Sequence, residues 1–225
     1  MTERLYKLAS LVKPCSVFAD VGCDHGYISE AVLEQGLANF VVATDISAPS
    51  LEKCKSRLAK HENKFSTYVT DGLKGVKEKP EQVLIAGMGG KEIISILSDY
   101  EFAERLILQP MKNAPEVREY LFENCYLIER DFTFFSLSKK YDVIVCVKNH
   151  DGNEFLESVE KFYSKNDYAA DELLFGKENV PARGEFKSYL KKCLIELSAA
   201  YSEVKDETQK SKIESNIEKI KRVIK

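Results

Sequence analysis

The sequence has no tryptophan, only three histidines and no C-x-x-C pair. Its six cysteines (Cys15, Cys23, Cys54, Cys125, Cys146 and Cys193) are scattered along the chain. That scatter argues against a zinc site and against a disulfide framework, and it fits reduced thiols in a cytoplasmic protein. No apolar run approaches the roughly 18 residues that span a bilayer. The opening stretch MTERLYKLASLVKP lacks both an unbroken apolar core and a small-residue cleavage site, so no signal peptide is expected. With 44% hydrophobic and 31% charged residues, and only 6 prolines and 11 glycines, the chain is neither disordered nor fibrous. Its 225 residues allow one ordinary domain plus a small appendage.

A strong net charge is also lacking, since the total is −3. The distribution is uneven, however. Residues 183–225 hold 11 Lys and Arg against 7 Asp and Glu, a net of +4, which leaves −7 for residues 1–182. A basic tail on an acidic body is either a solvated helical face or a surface for a polyanion.

Strand-like apolar runs alternate with amphipathic stretches through the first 149 residues. Ser16–Val21, Phe40–Asp45, Ser66–Thr70, Gln82–Ala86 and Arg105–Gln109 are short, with mostly unbroken apolar centres, as strands covered on both faces are. Between them, Ile28, Ala31 and Val32, then Leu51, Cys54 and Leu58, then Ile93, Ile94 and Leu97, then Val117 and Leu121 recur at helical spacing. Pro49 and Pro115 fall near helix starts, where a missing N–H costs nothing. Repeated strand–helix units predict right-handed crossovers and a mostly parallel sheet. Tyr126–Leu137 and Tyr141–Asn149, joined by Ser138–Lys140, predict a closing antiparallel hairpin. The expected architecture is α/β: a class I Rossmann-like methyltransferase fold with a seven-stranded, mostly parallel sheet and a C-terminal helical hairpin.

The predicted boundaries are a catalytic domain over 1–150, a connecting segment over 151–182 with one helix at Glu154–Tyr163, and a coiled-coil hairpin over 183–225. The hairpin rests on two stripes. Phe186, Leu190, Cys193, Leu197, Ala200 and Val204 form the first, and Ile213, Ile217, Ile220 and Ile224 the second, with the polar break Lys205–Lys210 between them.

The stretch FADVGCDHGY, Phe18–Tyr27, carries the most chemistry. A strand ends at Asp20, and Gly22 and Gly26 follow before a helix. The spacing is G-x-x-x-G, whereas the dinucleotide fingerprint needs glycine where Asp24 and Tyr27 stand. Asp24 would repel a pyrophosphate at that helix start. A cationic ligand such as S-adenosylmethionine tolerates or prefers it. Asp45 ends the second strand, where a carboxylate can accept both hydroxyls of a ribose. Asp71 ends the third in TDGL, where it can accept from an adenine amino group while Leu73 packs on the ring. Three acids at successive strand ends outweigh any single one, because ligands of open α/β sheets sit at those ends.

The fourth strand runs into IAGMGGKE, whose glycines around Met88 imply close backbone approach. It lacks the Asp/Asn-Pro-Pro-aromatic tetrad of many exocyclic adenine-amine methyltransferases. The expected cofactor contacts are Asp20, Gly22, Asp24, His25, Tyr27, Asp45, Ile46, Asp71, Gly72, Leu73, Gly87, Met88 and Gly89. Gln109 and Pro110, in LILQP, are the candidates to face the acceptor base. Gln109 can read a base edge or simply cap the strand, and His25 can contact the cofactor or stabilise its loop. No metal site is expected.

With these segments together, the chain resembles the bacterial tRNA adenine-22 N1-methyltransferase family, TrmK, over nearly its whole length. The likeness rests on DVGCDHGY, on IAGMGG at Ile85–Gly90, on LILQP at Leu106–Pro110 and on ELLFG at Glu172–Gly176. The last two are not generic to methyltransferases. Met111 stands where the family commonly has Asn, Cys23 where it has Ser, and Asp45 where it often has Glu. The resemblance implies S-adenosylmethionine as donor (leaving S-adenosylhomocysteine) and N1 of an adenine in the tRNA D-loop region as acceptor. It also implies a monomeric cytoplasmic enzyme whose partner is tRNA and not a membrane. The basic tail and Arg4, Lys7 and Lys13 near the cleft are the candidates to grip that tRNA. Asp24 is the candidate to stabilise the cationic methylated base. Two other readings remain: a methyltransferase of a small metabolite, and a non-catalytic RNA-binding module. The basic tail disfavours the first and the intact strand-end acids disfavour the second.

Overall fold

Apolar residues on both faces fix the central strands of the sheet. In the computed structural model, which describes residues 1–100, 104–157 and 161–225, these are β1 (Cys15–Val21), β2 (Ala38–Asp45), β4 (Gln82–Met88) and β5 (Arg105–Pro110). β3 (Phe65–Val69) forms one edge, and β6 (Tyr126–Ser136) with β7 (Lys139–Lys148) forms the other. The order is β3-β2-β1-β4-β5-β7-β6, with β7 antiparallel to both of its neighbours.

Helices α1 (Glu3–Ala9), α2 (Tyr27–Glu34) and α3 (Ala48–Leu58) cover one face through Leu8, Val32 and Leu51, which meet Phe18, Val41 and Ile107. On the other face α4 (Gly90–Ser98) and α5 (Ala114–Glu123) bring Ile93 and Val117 onto Ile85 and Leu108. Each such buried side chain contributes roughly 1.5–3 kcal/mol. The expected three-layer, mostly parallel architecture is what folds. Pro49 and Pro115 do lie in the first turns of α3 and α5. Strand order reverses beside β1, which opens a crevice between the carboxyl ends of β1 and β4.

Three local expectations are corrected. The β6–β7 turn is the two residues Leu137 and Ser138, with φ of 48° and 62°, so β7 begins at Lys139 and not at Tyr141. Two left-handed residues give the tight turn that matches strand twist, without the usual Asn-Gly signal. Among the described residues the helix expected over Glu154–Tyr163 is α6, Glu154–Glu157. Residues 158–160 lie outside the described residues, and Tyr163 bridges to Ile128 as extended backbone. The segment before the tail also contains an unexpected α7 (Ala170–Phe175).

That segment is held to β6 by a buried ion pair. Arg118 Nε and Nη2 each donate to Asp131 at 2.8 Å, and Asp131 also accepts from Tyr168 Oη at 2.7 Å and from the Lys177 N–H at 3.0 Å. Arg118 Nη1 donates to Leu173 O at 3.0 Å, which places the ELLFG stretch against α5. Beyond it, α8 (Gly184–Glu203) and α9 (Glu207–Ile224) pack together. Phe186, Leu190, Ile220 and Val223 form a small core that Phe135, Phe175 and Val180 extend. Val223, outside the expected stripe, is among its most buried members, and its carbonyl accepts from the N–H of Ala182 at 2.9 Å. Among the described residues no helix is long and apolar enough to cross a membrane.

Candidate active site

The turn after β1 is built from backbone strain and one carboxylate. Gly22 has φ of 70°, and its N–H and that of Cys23 both donate to Thr44 O, at 2.8 and 2.9 Å. A Cβ on Gly22 would lie 2.3 Å from Met88 Cε, so the glycine also lets β4 come close. Asp24, at φ 49°, donates its N–H to Asp45 Oδ2 at 2.9 Å, while Asp45 Oδ1 accepts from the Ser47 N–H at 2.8 Å. Asp45 therefore ties the ends of β1 and β2 together.

These elements and α1 enclose a cavity of about 850 Å³ at the crevice. Of the expected cofactor contacts, Asp20, Gly22, Asp24, His25, Tyr27, Asp45, Ile46, Asp71, Gly72, Gly87 and Met88 line it. Asp20 is buried at its base and accepts from Ser29 N and Oγ at 3.2 and 2.7 Å. Burial lifts its pKa to about 6, against the lowering effect of the two Ser29 bonds. Asp71 lies on the loop past β3, and Ile46 is 76% exposed at the mouth. The side chain of Asp24 is 70% exposed, and its Oδ1 is 3.5 Å from His25 Nε2. Arg57 secures the loop from α3, donating to His25 O at 2.8 Å with its guanidinium 3.7 Å from the Tyr27 ring centroid.

Four expected residues are not on that wall. Leu73 is buried in the core with Ile93 and Ile96, so it cannot pack on an adenine. Gly89 caps α4 and donates its N–H to Glu92 Oε2 at 2.6 Å. Pro110 is buried within β5, and Gln109 is 0% exposed. Its Oε1 accepts from Arg4 Nε at 2.9 Å, so it holds Arg4 and does not itself reach a base. Arg4, on α1 and expected near the cleft, lines the cavity with Thr2 and Leu5. Lys13, expected near the cleft, pairs with Glu129 at 3.2 Å beside the amino end of β1. Among the described residues no group of three or more His, Cys, Asp or Glu could hold a metal ion.

A sheet reversed at β1 and closed by an antiparallel hairpin, with acids at three strand ends, defines a class I methyltransferase. A family model described as a methyltransferase domain matches residues 1–144. A Mycoplasma pneumoniae protein named "Putative tRNA methyltransferase" is 34% identical over 152 residues, which cover 61% of this chain and 70% of that one. The Bacillus subtilis tRNA (adenine(22)-N(1))-methyltransferase is 29% identical over 153 residues, 65% of this chain and 64% of that one. M. capricolum TrmK, solved with S-adenosyl-homocysteine, superposes with a TM-score of 0.86 at 22% identity, over 100% of this chain and 99% of that one. The chain belongs to the methyltransferase-domain family and, within it, to the tRNA methyltransferases.

Proposed function

We propose that this protein transfers the methyl group of S-adenosylmethionine to N1 of adenine 22 in tRNA, the reaction named for its Bacillus subtilis relative. The observation that carries this reading is the cavity at the β1/β4 crevice, where Asp20, Asp45 and Asp71 face two glycines held at positive φ, Gly22 and Gly87. Its volume of about 850 Å³ suits a nucleoside cofactor together with an extruded base. Its acidity suits a cationic ligand.

When bound, S-adenosylmethionine supplies an electrophilic methyl group on a sulfonium. Asp45 has lone pairs left beyond its two backbone bonds, and these accept from ribose hydroxyls. Asp71 takes an adenine amino group, and Ile46 covers the ring at the mouth. Gly22 and Gly87 let the backbone approach where a Cβ would intrude. N1 of adenine has a free lone pair, so no side chain must remove a proton before attack. The protein's contribution is to hold nucleophile and methyl group in line. The carboxylate of Asp24, at the mouth, is placed to offset the positive charge that the base acquires. N1 lies on the Watson–Crick edge, so the base leaves its stack to enter.

In this reading residues 1–150 form the catalytic domain, 151–182 the connection and 183–225 a coiled-coil hairpin that contacts tRNA, in a monomeric cytoplasmic enzyme. A methyl-transfer assay on unmodified tRNA, with mapping of the product base, is the direct test. Methylated adenine 22 is the expected product, and a folded protein that binds cofactor but leaves every tRNA unmodified overturns the reading.

A further inference from the structure

The cavity wall above β4 and β5 carries a cation that no carboxylate among the described residues pairs with. Arg4 donates through Nε to Gln109 Oε1 at 2.9 Å, and its guanidinium carbon lies 5.4 Å from the Tyr141 ring centroid. A Cβ on Gly87 would stand 2.8 Å from Arg4 Nη2, so this glycine makes room for the guanidinium. Gln109 is 0% exposed, and its carboxamide donates through Nε2 to Met111 Sδ at 3.4 Å, so the oxygen that aims Arg4 is itself held in place. Among the described residues neither Nη of Arg4 has a hydrogen-bond partner, and no carboxylate pairs with it.

The surroundings sharpen the point. Asp20, Asp24, Asp45, Asp71 and Glu92 share this wall, and Arg4 is its single lysine or arginine among the described residues. Burial pulls the pKa of Arg4 below the ordinary arginine value, but a guanidinium remains charged at neutral pH. A half-buried, oriented guanidinium with both Nη groups free is a bidentate donor for paired anionic oxygens.

We propose that Arg4 is the anion-binding residue of this cavity: its Nη groups take the paired oxygens of a carboxylate or phosphate carried by a reactant, and Gln109 is its positioning residue. This rests on the methyltransferase reading, under which the oxygens have two sources. One is the amino-acid carboxylate of the cofactor, and the other is a backbone phosphate beside the target nucleotide. The five acids repel either anion elsewhere on the wall, which leaves Arg4 as the point that holds it.

Calorimetry on the full chain with S-adenosylhomocysteine, and with 5′-methylthioadenosine, which lacks the amino-acid end, separates the sources. With a carboxylate partner, R4Q weakens S-adenosylhomocysteine about ten- to a hundredfold, R4K recovers part of the loss, and 5′-methylthioadenosine binds as before. With a phosphate partner, both small ligands bind as to wild type. The KM for tRNA then rises, and the salt slope of tRNA binding falls by about 0.7. Wild-type binding of S-adenosylhomocysteine reports on the methyltransferase reading, and only the ratio of R4Q to wild type reports on Arg4. An R4Q protein with an unaltered melting temperature that binds S-adenosylhomocysteine and tRNA as tightly as wild type overturns the proposal.

Discussion

The carboxylate of Asp45 accepts the backbone N–H of Asp24 at 2.9 Å, across the gap between the second and first strands. One side chain thus shapes the turn after β1 and also lines the cavity, where under the proposed function it would take the ribose hydroxyls. Asp45→Ala is therefore expected to weaken S-adenosylhomocysteine binding about ten- to a hundredfold, with a modest loss of melting temperature as the turn loosens. Asp45→Asn tests the dual role. Its amide can accept one of the two backbone N–H groups but must face the other with a donor, so an intermediate affinity is expected in calorimetry. Affinity unchanged in both variants would remove Asp45 from the cofactor site.

Gly22→Val is expected to abolish cofactor binding. At φ 70° a left-handed backbone costs a non-glycine residue roughly 1–2 kcal/mol, and a β-branched one more. The added Cβ would also displace the terminal methyl of Met88, 2.3 Å away. Wild-type turnover in a folded Gly22→Val protein would be incompatible with this placement of the turn.

Asp20 makes stability depend on pH in an unusual direction. Burial lifts its folded pKa to about 6 from an ordinary 3.8. The native state thus holds this proton more tightly than the unfolded state. The associated stability is fully present below the unfolded pKa and is lost as pH rises through about 6. A shift of that size corresponds to about 3 kcal/mol. Asp20→Asn keeps an acceptor for Ser29 without a charge. Its melting temperature relative to wild type is expected to rise between pH 4 and pH 7 on the order of several degrees. A constant difference across that range would show that Asp20 titrates normally.

The parts of this molecule that follow a local period were legible in the sequence. β5 is buried at every position around an apolar centre, Leu106–Leu108, because both of its faces are covered, and it folds within a residue of its expected bounds. The strand-end acids were legible for the same reason, since a strand's end fixes where its next side chain points. Long-range partnerships were not. Gln109 resembled a cleft residue by its position, yet its burial depends on Arg4, 105 residues earlier, covering it. Leu73 followed a strand-end acid and still turned into the core, because Ile93 and Ile96 of α4 receive it. The stripe on α9 followed its isoleucines to Ile224 and passed over Val223, which lies three residues beyond Ile220 on the same buried face.

Arg118→Leu is expected to cost about 3–5 kcal/mol, since it leaves Asp131 buried at 0% exposure without its ion-pair partner. The loss should appear first as faster proteolysis within residues 164–180, which Asp131 anchors through Tyr168 and Lys177. Arg118→Leu combined with Asp131→Leu removes both charges and should recover much of the melting temperature. A double variant as unstable as the single one would mean that packing, not the charge left behind, sets the cost.

The basic tail invites truncation near Ala182, but its packing makes truncation a poor probe. Phe186, Leu190, Ile220 and Val223 bury themselves with Phe135, Phe175 and Val180, so a cut would expose an apolar surface as well as remove charge. Neutralising solvent-facing cations in the full chain separates the two effects. Lys191, Lys192 and Lys212 are exposed, whereas Lys210, Lys221 and Arg222 are engaged with Glu207, Glu218 and Asp171. Replacing Lys191, Lys192 and Lys212 with Gln should leave S-adenosylhomocysteine binding and melting temperature unchanged, because none of them touches the cavity or the small core. If the tail grips phosphates, tRNA affinity falls and the slope of log affinity against log salt becomes shallower by about 0.7–0.9 for each phosphate no longer neutralised. A triple variant with the wild-type slope and wild-type methylation rate would assign the tail to structural support. RNA binding would then lie with the catalytic domain alone.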